Sequence, residues 1–207
     1  MTRLTSLFTS RPLRGIAIVA LVTVAGCAST PPGVTTIANP RAEQEQKLAK
    51  VDLPRYMGRW YLIANIPYFG EKNYVASRAE WTLRDDGKID DAYVGRKGGF
   101  DQPETRREFV DTVVPGTDNA HWRVRLLWPI YVSQLTLYVD DNYEYTLLGY
   151  PGKSLGWVFA RKPDISDVKY RELLAKFNQQ GYDTARFRRV PQRPEQIGQP
   201  GFQSPEK

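Results

Sequence analysis

Ala120 to Tyr150 reads AHWRVRLLWPIYVSQLTLYVDDNYEYTLLGY, and its period decides the fold. Trp122, Val124, Leu126 and Trp128 fall on one face of an extended chain, with His121, Arg123 and Arg125 on the other. Strand side chains alternate between two faces, so a two-residue period marks a half-buried strand rather than a helix. Leu135, Leu137 and Val139 repeat the pattern against Gln134, Thr136 and Tyr138. Asp141-Asn142 then supplies a turn, because short polar side chains bond their own backbone. So short a connection makes neighbouring strands antiparallel.

The same signature extends both ways. Val75, Ala79, Trp81 and Leu83 share a face upstream, as do Leu155, Trp157, Phe159 and Arg161 downstream. Turns at Asp85-Asp86-Gly87, Gly98-Gly99, Gly116 to Asn119, Asp141-Asn142 and Pro151-Gly152 separate the runs. Eight strands result, at about 59–66, 73–84, 88–97, 104–114, 120–128, 133–140, 143–150 and 155–162. A helix follows, with an apolar stripe of Tyr170, Leu173, Leu174 and Phe177. Asp164 or Ser166 can cap its start and Gly181 its end. A short strand over about 184–190 comes last. The expected fold is all-β: an eight-stranded antiparallel up-and-down β-barrel with one C-terminal α-helix packed outside. A barrel of this size has room for its own side chains or one small ligand.

The N-terminus reads as an export signal over residues 1–26. Arg3, Arg11 and Arg14 precede the apolar run Ile16 to Val24, far below the roughly 20 residues a membrane span needs. The sole cysteine, Cys27, follows Val24-Ala25-Gly26 and has no internal disulfide partner. That ending resembles the bacterial lipobox. The resemblance implies cleavage before Cys27, a diacylglycerol thioether on its sulfur and an acyl chain such as palmitate on its amine, a stable membrane anchor. Ala28 after it implies sorting to the outer membrane in a Gram-negative cell, with the domain facing the periplasm. Residues 27–50 are expected to be a lipid-anchored flexible tether and 51–190 the folded domain. Residues 191–207, rich in Pro, Gln and Gly, are expected to be a disordered tail.

Composition narrows the function. The chain is 41% hydrophobic and 25% charged, as soluble globular domains are. Its net charge of +6 falls to +3 without the three signal arginines, 26 basic residues against 23 acidic. That balance, without a Lys/Arg run, argues against nucleic acid. One histidine and one cysteine exclude a His-rich metal cluster and a conventional Cys/His pair. His121 reads as a surface residue, and Ser133 has no partner visible in sequence. The pairs Asp85-Asp86, Asp90-Asp91 and Asp140-Asp141 sit at turns or strand starts and read as solvated. Neither a Gly-x-Ser-x-Gly motif nor a phosphate-cradling loop is present. No catalytic residue, metal or cofactor is expected.

Three motifs point to a family. Gly58-Arg59-Trp60, after Asp52 to Met57, resembles the Gly-x-Trp signature of lipocalins. Asp140-Asp141-Asn142-Tyr143 resembles their second motif, an Asp-x-x-Tyr turn, and Arg161 their third. Trp60-Tyr61, Leu83 to Gly87, Trp157 and Gln180 to Asp183 are similar to the bacterial outer-membrane lipocalins, kin to apolipoprotein D. Asp91, Tyr93 and the charged Arg106-Arg107-Glu108 depart from that subgroup, which bears on the ligand more than the fold. Gly58, Trp60, Asp140, Tyr143 and Arg161 are expected to be structural, with the Arg161 guanidinium over the Trp60 indole, a contact of about 0.5–2 kcal/mol.

The resemblance implies a hydrophobic small-molecule ligand, a fatty acid or lysophospholipid, held for storage, transport or envelope maintenance. Candidate cup residues are Trp81, Tyr93, Val124, Leu126, Trp128, Leu135, Leu137, Tyr145, Trp157 and Phe159, with Arg78, Arg96 or Lys97 at the rim for an anionic headgroup. A 16-carbon chain gains roughly 12 kcal/mol gross on burial, about half or more of it offset by binding costs. Two rivals remain. One is a scaffold lipoprotein with a filled barrel and an exposed apolar face at Tyr61, Ile63, Tyr68 and Phe69. The other is an enzyme built on a buried, shifted acid such as Asp91. A homodimer is left open.

Overall fold

A computed structural model describes residues 46–205; the export signal, Cys27 and the tether up to residue 45 lie outside the described residues. A one-turn helix α1 (Leu53–Tyr56) precedes strands β1 (Gly58–Asn65), β2 (Tyr74–Leu83), β3 (Ile89–Lys97), β4 (Glu104–Val113), β5 (His121–Leu127), β6 (Ile130–Val139), β7 (Tyr145–Gly149) and β8 (Gly156–Ala160). Helix α2 (Asp167–Gln179) and the two-residue strand β9 (Arg188–Arg189) follow. Each barrel strand pairs antiparallel with the next, and β8 returns to β1 to close the ring. This is the expected eight-stranded barrel with its helix outside. Strand β6 starts earlier than expected, because Leu127 pairs with Ile130 and confines the turn to Trp128-Pro129. Of the strand expected over 184–190 only Arg188–Arg189 is extended into the sheet, and Thr184–Arg186 is a 3-10 turn.

Two buried clusters divide the apolar side chains. Trp60, Leu62, Ala79, Trp81, Ile89, Tyr93, Trp122, Leu148 and Phe159 form one inside the barrel. Ile63, Leu135, Leu137, Leu147, Val158 and Ala160 form the other, between the outer wall and Leu173 and Phe177 of α2. The Ser166 hydroxyl caps α2 by accepting the Lys169 N–H at 3.2 Å. Glycine at 156 lets α2 approach: a Cβ there would lie 2.8 Å from the Phe187 ring and 3.2 Å from that of Phe177.

The two ends of the barrel differ. At one, α1 crosses the opening, and Trp60 Nε1 donates to the Tyr56 carbonyl at 2.8 Å. Arg161 lies 3.8 Å from the Trp60 ring centroid and donates to the carbonyls of Met57 and Arg59 at 2.9 and 2.8 Å. Gly58 holds φ +98° directly beneath that guanidinium. Asp140 accepts the N–H groups of Glu144 and Tyr145 at 2.8 and 2.6 Å, and the Tyr143 hydroxyl accepts that of Asp52 at 2.8 Å. Strand alternation puts the β2–β3, β4–β5 and β6–β7 connections at this closed end and the other four at the open end.

Both flanking segments depart from expectation. Residues 191–205 are packed rather than disordered. Strands β1 and β2 pair only through Gly58–Tyr61 and Arg78–Trp81, and the tail fills the gap beyond. Val190 N–H donates to Ile63 O and Ala76 N–H to Pro191 O, both at 2.8 Å. The Gln192 amide bridges the Leu62 and Ser77 carbonyls at 2.8 and 3.0 Å, and Gln203 reaches the Tyr74 carbonyl at 2.8 Å. Unpaired strand edges need donors and acceptors, and a Gln-rich segment supplies them. The last tether residues are likewise held: Ala49 N–H donates to Thr136 O at 2.9 Å, and Lys47 exchanges two bonds with the Gln180 side chain.

Candidate functional site

The interior splits into an aromatic plug and a polar-lined upper half. Trp81 and Phe159 belong to the plug. Trp81 lies 5.2, 5.4 and 5.8 Å from the rings of Tyr56, Trp122 and Phe159 and is 2% exposed. Directly paired antiparallel residues share a face, which traces the wall above. Val124 faces inward and pairs with Val132, and Trp122 pairs with Gln134. Asp91 pairs with Phe109. Phe109, Val132, Gln134 and Trp157 face the interior yet keep part of their surface accessible.

Not every candidate lies there. Tyr93, Val124 and Trp157 line the interior with Trp81 and Phe159, whereas Leu126 and Trp128 stand at the mouth, 46% and 79% exposed. Leu135, Leu137 and Tyr145 are corrected: they belong to the outer wall with α2, Lys169 lying 5.2 Å from the Tyr145 ring. Strands β6 and β7 point Thr136 and Thr146 inward instead, where Thr146 bonds the buried Tyr56 hydroxyl at 2.7 Å. Both faces of this wall are covered, so its apolar side faces a helix rather than a cavity. Leu137 also lines a groove of about 510 Å³ outside the barrel, between residues 47–50 and α2. Arg78 is tied on the outer wall to Glu104 and Glu80 at 2.7 and 2.9 Å, away from any headgroup. Ile63 is buried and Tyr61 and Tyr68 half-buried, so of that proposed apolar face only Phe69 is exposed, at 93%.

Sequence reasoning missed five charged or amide side chains inside the barrel: Asn65, Glu71, Arg107, Asp111 and Gln134. Glu71 is buried and accepts from Asn65, Trp157 and Tyr68 at 2.7, 2.8 and 3.3 Å. Burial pushes its carboxyl upward against those donors. Arg107 lies 4.6 and 5.3 Å from the rings of Tyr93 and Tyr74, and its Nε has no partner. The Tyr93 hydroxyl donates to Ser77 at 3.0 Å. Asp111 is fully buried, and no N–H reaches either of its oxygens. Its neighbour is Asp91, which accepts the Trp81 indole N–H at 2.9 Å. Burial raises both carboxyls, and for Asp111 the charge of Asp91 adds to the effect. Two carboxyls this close favour holding a proton between them. Asp91 is therefore not solvated, as its place near a turn suggested. The missed signal was phase: Thr105, Arg107, Phe109, Asp111 and Val113 share one face of β4.

Outside the barrel, His121 Nε2 lies 2.9 Å from Ser133 Oγ, a partner that sequence did not reveal. Burial and then Arg123 depress the imidazole pKa. Among the described residues no carboxylate bonds its other ring nitrogen, so the pair lacks the group that would orient a base.

A family model for the lipocalin-like domain matches residues 51–192. Temperature-induced lipocalin-1 of Arabidopsis thaliana is 30% identical over 162 residues, 72% of this chain and 84% of that protein. Outer membrane lipoprotein Blc of Escherichia coli K12 is 30% identical over 180 residues, 85% and 93% respectively. Among solved structures, insecticyanin from the tobacco hornworm Manduca sexta superposes with TM-score 0.58 at 14% identity, covering 79% of this chain and 89% of that one. Apocrustacyanin C2 does so with TM-score 0.56 at 18% identity, covering 70% and 81%. Barrel order, closure motifs and these matches agree, and the chain belongs to the lipocalin family.

Proposed function

We propose that this chain is an envelope lipoprotein, anchored through acylated Cys27 in a bacterial outer membrane, that holds one hydrophobic small molecule in the upper half of its barrel. The ligand class is fatty acid or lysophospholipid, for storage, transport or envelope maintenance. One observation carries the reading: Phe109, Val132 and Trp157 face the inside of a closed wall yet keep accessible surface. Ligand sites are concave and mostly apolar with few polar groups. The outer-membrane lipoproteins among its relatives support the location. A binding role suits the interior better than catalysis, since its carboxyls are engaged with each other or with indole and amide donors.

A second reading, a scaffold with a filled barrel, draws on the tight packing of Trp81 and Tyr93, 2% and 8% exposed. One experiment separates the two. Residues 28–207 contain every strand and both apolar clusters. They are purified natively, analysed by native mass spectrometry, then titrated with lysophospholipid and palmitate while Trp fluorescence is followed. One lipid per chain, bound at least about tenfold more weakly by Trp157→Ala with its fold intact, supports the ligand site. No uptake into the high micromolar range supports the filled barrel.

A further inference from the structure

The open end carries an apolar tip that none of the described residues covers. Residues 125–131 are exposed without a break: Leu126 is 46% exposed, Leu127 60%, Trp128 79%, Ile130 51% and Tyr131 38%. They form the end of the β5–β6 hairpin. Phe69, 93% exposed, projects from the β1–β2 connection at the same end. In a ring of eight strands β1 stands across from β5 and β6, so the two prongs flank the mouth. A contiguous exposed apolar patch on a soluble domain marks a contact surface.

Charge distinguishes the occupant. The open-end connections and their flanks carry Lys72, Arg96, Lys97, Arg125 and Lys153 against Asp101, Glu104 and the buried Glu71. The closed-end connections carry Asp85, Asp86, Asp118, Asp140, Asp141 and Glu144 against Arg84 and Lys88. The fold is thus polarised, with its basic end sharing the apolar prongs. Trp and Tyr settle where hydrocarbon meets headgroups, and arginine stems lie along apolar surface while their heads reach anions. Arg123 lies 4.7 Å from the Tyr131 ring, and Arg125 flanks the tip.

We propose that the β5–β6 tip and Phe69 dock the barrel mouth-down on an anionic lipid surface, a contact separate from any N-terminal anchor. Docking sets the opening against the bilayer, so a lipid can pass between the two without crossing bulk water. The contact does not depend on an occupied barrel, so failure of ligand uptake leaves it standing.

The test uses residues 28–207, which lack Cys27, in flotation with phosphatidylcholine vesicles with or without about one third phosphatidylglycerol. The wild-type chain floats with the anionic vesicles. Leu127→Asp combined with Trp128→Glu lowers its partition at least about tenfold. Arg125→Glu lowers it severalfold on anionic vesicles only, as does added salt. Val168→Asp, on an exposed apolar position of α2 (69%), changes nothing, and circular dichroism shows all variants folded. A wild-type chain that stays unbound, or a tip variant that floats equally well, overturns the proposal. So does a dimer that the tip substitutions break in the absence of any vesicle binding, which assigns the patch to a second copy of the chain.

Discussion

Replacing Arg161 with alanine separates closing the barrel from filling it. The guanidinium stacks over Trp60 at 3.8 Å and donates to five carbonyls, those of Arg55, Tyr56, Met57, Arg59 and Tyr143, at 2.8–3.3 Å. Not all five count equally. Arg55 and Arg59 are exposed, so water replaces the lost donor there. Tyr56 O still accepts the Trp60 indole N–H at 2.8 Å. The Met57 and Tyr143 carbonyls remain, at about 1–2 kcal/mol each. The cation–π contact adds about 1 kcal/mol, and so does the lost cover over the indole. The expected cost is about 4–6 kcal/mol, a large fraction of a domain's stability. At about 2–4 °C per kcal/mol for a chain of this size, Tm falls by about 8–24 °C. Arg161→Lys keeps the charge without the fork of donors and recovers less than half of it. Urea and thermal unfolding of residues 28–207 measure the cost. Lipid affinity, measured where the variant is still folded, stays within about twofold, because Arg161 sits at the closed end. A cost below about 1 kcal/mol, or lipid binding lost from a folded variant, would refute the assignment.

The carboxyl pair gives a prediction with a definite sign. Asp91 and Asp111 are raised, so the folded chain holds a proton that the unfolded chain releases above about pH 4. Their contribution therefore makes stability fall as pH climbs from there to the native pKa, by up to about 1.4 kcal/mol per pH unit for one retained proton. Asp111→Asn removes its share of that dependence and leaves the part due to burial of Asp91, so unfolding curves of the two proteins from pH 4 to 8 diverge in favour of the variant as pH rises; parallel curves contradict the shared proton. Deleting residues 191–207 strips donors from the Leu62, Ser77 and Tyr74 carbonyls, of which Leu62 and Ser77 are fully buried. It is expected to cost about 2–5 kcal/mol in urea unfolding, whereas a disordered tail would cost nothing.

The topology was legible because each strand announces itself by alternation and each turn by Gly, Asp or Pro. The direction each strand faces was less so. Trp122 and Val124 oppose Arg123 and Arg125, and only one orientation is tolerable. Strand β6 gives no such instruction: one face goes to α2, the other to the interior, and both are largely neutral. Apolar Leu135 and Leu137 therefore looked like cup residues while Thr136 took the inward place. Arg107 and Asp111 were hidden for the opposite reason. Charged residues are rarely buried unless paired, so a strand reading Glu-Thr-Arg-Arg-Glu looks solvated throughout. Its phase through Phe109 nevertheless places Arg107, and further on Asp111, inside. The tail misled through composition, since Gln and Pro are as suited to satisfying a splayed strand edge as to disorder.

The depth of the upper half bears on how tightly a lipid can be held. The plug of Trp81, Trp122 and Phe159 closes the lower barrel, and the polar groups of Glu71, Tyr93 and the carboxyl pair are engaged within the protein. What remains for an acyl chain is the band from Val124 to the rim at Leu127. That is three residues of strand, roughly 10 Å. A band of that depth takes about eight methylenes, or roughly 6 kcal/mol gross before ordering costs. The rest of a 16-carbon chain lies along Leu126 and Trp128 at the mouth, on the surface proposed to meet the membrane. With ordering costs taken from that, a soluble chain binds such a lipid no more tightly than the tens-of-micromolar range, and its affinity rises with chain length only until the band is full. Nanomolar affinity in solution would require the aromatic plug to part and admit the chain, and the fluorescence of Trp81 and Trp122 would report the change.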